Sequence, residues 1–187
     1  MRPSLHQEPH GALAVARHYI RDVVYGANDG LITTFAVVAG VTGGGLSARV
    51  MLVIGAANLF ADGLSMGVGN FLGIRAHESA RAAENLPEEE ARPFRHGVAT
   101  FLAFVVAGAV PLVPFALALA TGASGWPVLG WSTVLTFGSL FTVGALRAVV
   151  TVDRWWSAGL EMLALGVAVA AAAFGSGALA AYVMGPR

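Results

Sequence analysis

Residues 50–74 read VMLVIGAANLFADGLSMGVGNFLGI, a stretch long and apolar enough to cross a bilayer as one helix. Four side chains with oxygen or sulfur atoms recur in it at intervals of four residues: Asn58, Asp62, Met66 and Asn70. Side chains four residues apart share one face of a helix, so these four form a stripe. An unpartnered polar group in hydrocarbon is costly. The stripe therefore predicts ligands that face an ion pathway or a partner helix rather than lipid.

The composition of the chain is that of an integral membrane protein. Hydrophobic residues make up 56% of the 187 residues and charged residues only 12%, whereas about a quarter of a soluble domain is charged. The absence of Cys excludes disulfides and thiolate metal sites. A formal net charge of zero gives no basic surface for nucleic acid. The first twenty residues lack the apolar core of a signal peptide, so we expect the N-terminus to be retained.

Breaks in the apolar pattern predict an all-α membrane protein with five transmembrane helices in a single domain. The spans are expected at about 23–42, 50–74, 97–121, 127–150 and 157–184, with a short cytoplasmic loop at 75–96. Three glycines at 43–45 end the first span. Pro111 and Pro114 break the third span midway, which a membrane helix tolerates only where other groups satisfy the freed carbonyls.

The arginines predict the orientation of the chain. All eleven basic residues are Arg, and only Arg49 and Arg187 fall on the far side of the five spans. The other nine share the N-terminal side: Arg2, Arg17, Arg21, Arg75, Arg81, Arg92, Arg95, Arg147 and Arg154. The positive-inside rule then predicts a cytoplasmic N-terminus and a C-terminus outside.

A second carboxylate, Asp29, follows Asn28 within the first span. Asp29 and Asp62 could share one divalent cation, which would offset the cost of burying both. Oxygen ligands suit hard cations, and the thioether of Met66 adds a preference for softer ions. This mixture favours iron(II), with manganese(II) or cobalt(II) close behind. The alternatives are an interfacial cap or Arg partner for Asp29, hydrogen bonds from Asp62 to the first helix, and core packing for Met66.

Further titratable residues fall near the predicted inner interface. Glu161 could take a coupling proton, although an ion pair with Arg147 or Arg154 is favoured. The loop offers several residues that could gather cations: His77, Glu78, Glu84, Glu88, Glu89, Glu90 and His96. An ordinary solvated loop is favoured for them, because Pro87 and Pro93 interrupt any single ligand-bearing face. No ligand spacing is found for the three histidines nearest the N-terminus: His6, His10 and His18.

Two motifs in the first two spans resemble a known family. YGANDGLITTFAVVAGV at 25–41, followed by GAANLFADGLSMGVGNFLG at 55–73, is similar to the vacuolar iron transporter family, specifically its short bacterial members. The resemblance extends more weakly from Tyr19 to the end. It implies a five-helix protomer, a homodimer with the ion path on its two-fold axis, and proton-coupled export of iron(II) or manganese(II) from the cytosol. It also implies that Asp29 and Met66 are metal-path residues.

The chain departs from that family in two places. Plant and fungal transporters have a glutamate eight residues before the methionine, where this chain has Asn58, with Asp62 four residues later. This departure weakens the expectation of proton coupling. The three-helix cytoplasmic domain of such relatives is reduced here to about twenty residues. Four glutamates could be its remnant: Glu84, Glu88, Glu89 and Glu90.

The sequence thus predicts a homodimeric transporter in a bacterial inner membrane that exports iron(II) or manganese(II) and needs no resident cofactor. The pathway ligands are Asp29, Asp62, Met66 and Asn58. Weaker candidates are Asn28, Asn70, Glu161, Glu78, Glu84 and Glu88. One alternative is a membrane binding or scaffold protein without flux, because polar stripes also join helices. An enzyme ranks third, because no nucleophile arrangement or phosphate loop is found.

Overall fold

The structure, a computed structural model, describes residues 3–6, 8–122 and 126–185, so Arg2 and Arg187 lie outside the described residues. Six α-helices follow one another in this part of the chain. They are α1 (Ala12–Gly43), α2 (Ala48–Ala83), α3 (Pro93–Gly108), α4 (Val113–Thr121), α5 (Trp126–Arg147) and α6 (Trp155–Met184). A 3-10 turn, Val110–Leu112, joins α3 to α4.

Five helical segments are long and apolar enough to cross a membrane. They are Ala12–Gly43, Ala48–Ala83, Pro93–Thr121, Val128–Arg147 and Trp155–Met184. The described residues contain no β-strand, and only a single bridge pairs Ser4 with Glu88. The prediction of an all-helical, multi-pass membrane protein is confirmed.

The first two helices extend well beyond the predicted spans. α1 begins at Ala12 and α2 continues to Ala83, because both extensions are rich in Ala and Arg, which favour helix. A Schellman motif ends α2: Asn85 has a φ of 57°, and the Leu86 N–H donates to the Arg81 carbonyl at 2.9 Å. Pro93 then begins α3. The connection is therefore 84–92, much shorter than the predicted loop over 75–96.

The break in the third span falls where the prolines predict it. α3 ends at Gly108, and the chain passes through the 3-10 turn before α4 begins at Val113. The Ser132 hydroxyl of α5 donates a hydrogen bond of 2.7 Å to the Pro111 carbonyl at the break. A backbone carbonyl there is thus paired with protein, as a membrane interior requires.

α1 is the central helix and contacts α2, α3, α5 and α6. It packs most extensively against α3, where a Cβ placed on Gly30 would collide with the backbone carbonyl of Phe104. Phe104 and Leu31 are fully buried at this crossing. Gly30 of the Asn-Asp-Gly motif therefore sets the distance between α1 and α3.

The two glycine pairs of α2 face different surroundings. Gly63 and Gly67 lie against Gly97, Phe101 and Phe104 of α3 in the same chain, whereas Gly69 and Gly73 have no neighbouring heavy atom within 4 Å of an added Cβ. The first pair therefore closes the protomer. Only the second pair is open to another subunit.

The charged ends of the helices gather at one end of the bundle. Arg21 near the beginning of α1 contacts Asn70 of α2, and Glu8 pairs with Arg92 and Arg95 around the beginning of α3. Arg21 also lines a cleft with Arg147, at the end of α5. We call this the arginine-bearing end. Arg49 lies at the opposite end, where α2 begins.

Candidate functional site

The predicted stripe of α2 follows the border of its buried face. Asn58, Asp62, Met66 and Asn70 are all half-buried. The residues that follow the first three, Leu59, Gly63 and Gly67, are buried, whereas Ala61 and Ser65 are exposed. The stripe therefore lies neither in the core nor on the fully exposed face, and its side chains remain within reach of an ion.

Asp29 of α1 faces the same region of the bundle. Its carboxylate and that of Asp62 lie close enough for their charges to interact. The Thr33 hydroxyl donates to the Asp29 backbone carbonyl at 2.7 Å, and no described residue donates a hydrogen bond to the Asp29 carboxylate. The buried amide oxygen of Asn28 accepts no hydrogen bond from any described residue. These oxygens are the kind of ligand set that a divalent cation can use.

The structural alternatives for the two acids are not found in the part of the chain described. Among the described residues, no arginine pairs with Asp29 and no hydrogen bond joins Asp62 to α1. The buried Thr34 hydroxyl has no partner there either. The mutual repulsion of the Asp29 and Asp62 carboxylates is therefore not relieved by a partner among the described residues, which is consistent with a shared cation.

Asn70 belongs to a buried polar network instead of standing free. Its amide nitrogen donates to Asp22 Oδ1 and to Thr100 Oγ1, both at 2.8 Å. Asp22 is 1% exposed, and its other oxygen contacts His96 Nδ1 at 2.5 Å. The network joins α1, α2 and α3 near the arginine-bearing end. The amide of Asn70 is thus engaged in holding three helices together.

Hydrogen bonds and an ion pair hold the acidic connection against α2. Glu78 is buried, and its Oε1 accepts hydrogen bonds from the backbone N–H groups of Glu89 and Glu90, at 3.1 and 3.0 Å. Arg81 donates to the Pro87 carbonyl at 2.9 Å and pairs with Glu89 at 2.8 Å. The expectation of an ordinary solvated loop is therefore wrong for this part of the connection.

The remaining acidic candidates are positioned less specifically. Glu84 is exposed at the end of α2. Glu88 is held through its backbone, which exchanges hydrogen bonds with the segment that includes Pro3 and Leu5. Glu161 forms an exposed ion pair with Arg147 at 3.0 Å, which confirms the interpretation that was favoured for it.

A cavity of about 950 Å³ connects the stripe with the arginine-bearing end. Met66 and Asn70 line it on α2, and Asp22 lines it on α1. His18, Glu90 and His96 line its other side. The sequence pattern indicates Glu90 and His96 only as loop residues that could gather cations. It indicates neither His18 nor Asp22 as a site residue, although these two are four residues apart on one helix face.

The sequence matches a family model over most of its length. The model of the VIT family matches residues 20–88 and 79–178. The chain belongs to the VIT family. The matched ranges contain both motifs of the first two spans and every residue of the candidate pathway.

Among its relatives are proteins called vacuolar iron transporters. The one from Toxoplasma gondii is 38% identical over 96 residues, which cover 46% of this chain and 31% of that protein. Vacuolar iron transporter 1 of Arabidopsis thaliana is 35% identical over 85 residues, or 46% and 33% of the two chains. Vacuolar iron transporter homolog 5 of rice is 33% identical over 110 residues, or 54% and 53%. This VIT-family chain thus matches about a third of the first two relatives and about half of the third.

Proposed function

We propose that this VIT-family protein transports divalent metal ions, exporting iron(II) or manganese(II) from the cytosol across a bacterial inner membrane. The observation that carries the proposal is the placement of two interacting carboxylates, Asp29 and Asp62, within membrane helices and beside Met66. A +2 ion placed between the acids would neutralise charge that hydrocarbon otherwise penalises. The relatives named as iron transporters support the same conclusion.

The choice of metal rests on the donor atoms. Asp29, Asp62, Asn58 and Asn28 offer oxygen, which suits manganese(II) and iron(II). The Met66 thioether is a softer ligand, and it favours iron(II) over magnesium or calcium. Manganese as the main substrate is the second candidate.

Proton coupling would require a titratable group on the ion path. The half-buried Asn58 cannot carry a proton in place of a glutamate. Asp62, one turn further along α2, is the nearest titratable group to take that role. Coupling through Asp62 would let one residue bind the ion and exchange a proton in turn.

The transport assay separates the candidate functions. We expect purified protein in proteoliposomes to move iron(II) and manganese(II), and a proton gradient to change the rate. A non-transporting scaffold would bind the membrane and move no metal under either condition. If none of the divalent metal ions tested entered the proteoliposomes, the proposal of transport would be contradicted.

The arginine distribution also predicts sidedness. We place the arginine-bearing end in the cytoplasm, so an N-terminal reporter should be cytoplasmic and a C-terminal reporter should lie outside. Reporter fusions at both ends of the full chain measure this directly. Two reporters on the same side would rule out five spans.

We propose a homodimer that closes over the open face of α2. Gly69 and Gly73 would allow close approach of a second subunit, and the cavity beside Met66 would then lie at the subunit boundary. Replacing Gly69 or Gly73 by Leu should convert the detergent-solubilised dimer into a monomer, measured by light scattering. Gly138→Leu is the matched control, because Gly138 of α5 is equally open. An unchanged dimer in the Gly69 and Gly73 variants would remove this face from the interface.

A further inference from the structure

Three side chains from separate parts of the chain converge at the arginine-bearing end. Glu90 Oε2 lies 3.0 Å from His96 Nε2 and 3.5 Å from His18 Nε2. One ligand atom from each of the three residues lies within 4.8 Å of the others. The two imidazole rings have centroids 4.9 Å apart. The three residues come from α1, the 84–92 connection and α3.

The buried histidine has a nitrogen that no hydrogen bond satisfies. His96 is 6% exposed, and its Nδ1 is held by the Asp22 carboxylate at 2.5 Å. A carboxylate only accepts, so Nδ1 carries the hydrogen and the lone pair of the neutral ring is on Nε2. Nε2 is buried and makes no hydrogen bond with a described residue, although Glu90 Oε2 is near it. Two lone-pair atoms at this separation repel each other, and either a proton on Nε2 or a metal ion bound by both atoms would relieve that repulsion.

We propose that His18, Glu90 and His96 bind a divalent transition-metal ion, at a site separate from the pathway ligands Asp29, Asp62 and Met66. Two imidazoles and one carboxylate are a ligand set typical of zinc(II), cobalt(II) and iron(II), and they disfavour calcium and magnesium. Ligand atoms bound at about 2.0–2.1 Å in a tetrahedral site lie about 3.3 Å apart. The two separations to Glu90 Oε2, 3.0 and 3.5 Å, bracket that value. All three ligand atoms lie within 4.8 Å of one another, so the two imidazoles must turn toward each other to close on an ion.

The protein orients each ligand through a second contact. Asp22 fixes the His96 ring as carboxylates do behind metal-bound histidines, and Asn70 in turn donates to Asp22. For Glu90, the Oε1 oxygen accepts the Arg92 N–H at 2.7 Å and lies 3.3 Å from His6 Nδ1. Oε2 is thereby left to face the two other imidazoles.

The charge of Glu90 also suits a cation ligand. Glu90 Oε1 accepts the Arg92 backbone N–H, and a hydrogen bond of this kind favours the ionised form of a carboxyl. Glu78 positions the same residue by accepting a hydrogen bond from the Glu90 N–H at 3.0 Å. Glu90 therefore offers an ionised oxygen at a fixed place.

The site has a natural relation to transport. His18, Glu90 and His96 share their cavity with Met66 and Asn70, so an ion released from the site would reach these two residues of the stripe through the same cavity. The idea that this site loads the pathway with ions rests on the proposed function. Metal binding by His18, Glu90 and His96 does not depend on that function, and it can be measured by itself.

The test is a titration of the full-length protein in detergent with Co2+, followed by absorbance and calorimetry. We expect one Co2+ per chain with a nitrogen-ligand d–d band, and a loss of affinity of at least tenfold in His18→Gln and in Glu90→Gln. His18 is only half-buried, so His18→Gln should keep the thermal stability of the metal-free protein. His10→Gln is the matched control, because His10 is exposed and lines a cleft that contains neither Glu90 nor His96. The double variant Asp29→Asn, Met66→Ala should retain the Co2+ d–d band.

Two results would overturn the site: wild-type affinity and spectrum in both His18→Gln and Glu90→Gln, or loss of the band only when Asp29 and Met66 are replaced. The first would mean that the three residues form only a hydrogen-bonded cluster. Flux in proteoliposomes distinguishes the two proposals. Transport without this Co2+ site removes the site alone, whereas Co2+ binding without transport removes the proposed function and keeps the site.

Discussion

Replacing Asp29 by Asn is expected to lower transport of every divalent ion by more than tenfold while the protein stays folded. Two unit charges about 4 Å apart interact by about 4 kcal/mol at an effective dielectric constant of about 20. A tenfold change in rate or affinity corresponds to about 1.4 kcal/mol, so loss of one carboxylate from the pathway exceeds that threshold. In a homodimer the substitution removes two such charges. Initial rates of iron(II), manganese(II) and cobalt(II) uptake into proteoliposomes measure the effect.

Two further variants show whether the effect belongs to the pathway. Met66→Ala removes a neutral ligand, so it should shift selectivity away from iron(II) and leave manganese(II) transport closer to normal. Glu161→Gln removes an acid of the same helix bundle whose partner is Arg147, and we expect a smaller effect from it. Normal iron(II) transport in Asp29→Asn would show that Asp29 is not part of the path.

Features that depend on local sequence were predicted well. The glycines at 43–45 end α1 as expected, because the chain turns there and Gly45 has a φ of 66°. Pro111 interrupts the third span because it has no N–H for the helix. The pairing of Glu161 with Arg147 also follows from proximity across one short connection. Each of these features is decided within about fifteen residues.

Features that depend on packing were predicted poorly. Asp22 and His96 are 74 residues apart, and only the approach of α1 to α3 brings them together. The predicted first span began at about 23, so His18 and Asp22 were not recognised as neighbours on one helix face. The signal available in the sequence was that an acid, Asp22, and a histidine, His96, lie at the edges of apolar spans. Their burial could not be inferred without the helix ends.

The glycine spacing of α2 shows the same limit. Gly63 with Gly67 and Gly69 with Gly73 have identical spacing, yet one pair packs on α3 and the other is open. Small residues predict that a helix can be approached closely, but they do not identify the partner. The side of the helix on which each pair lies becomes known only once α3 is placed.

Replacing Gly30 by Val is expected to disrupt the fold, because the added Cβ would overlap the Phe104 carbonyl at the closest contact of α1 and α3. A backbone atom cannot rotate away, so the two central helices must separate. Overpacking typically costs about 1–3 kcal/mol and sometimes more. Separation would also displace Asp29, the adjacent residue, from Asp62. We therefore expect thermal melting of the detergent-solubilised protein at a Tm lower by several degrees, together with loss of transport.

Gly138→Val is the matched control for this prediction. Gly138 lies within α5 and has no heavy atom within 4 Å of an added Cβ, so Val there has the same helix propensity but meets no backbone. Gly30→Ala should give an intermediate loss, since even one methyl group reaches the carbonyl. If the Gly30→Val and Gly138→Val variants had the same Tm, the contact of Gly30 with Phe104 would not determine the separation of α1 and α3. The Asn-Asp-Gly motif would then need its glycine for another reason.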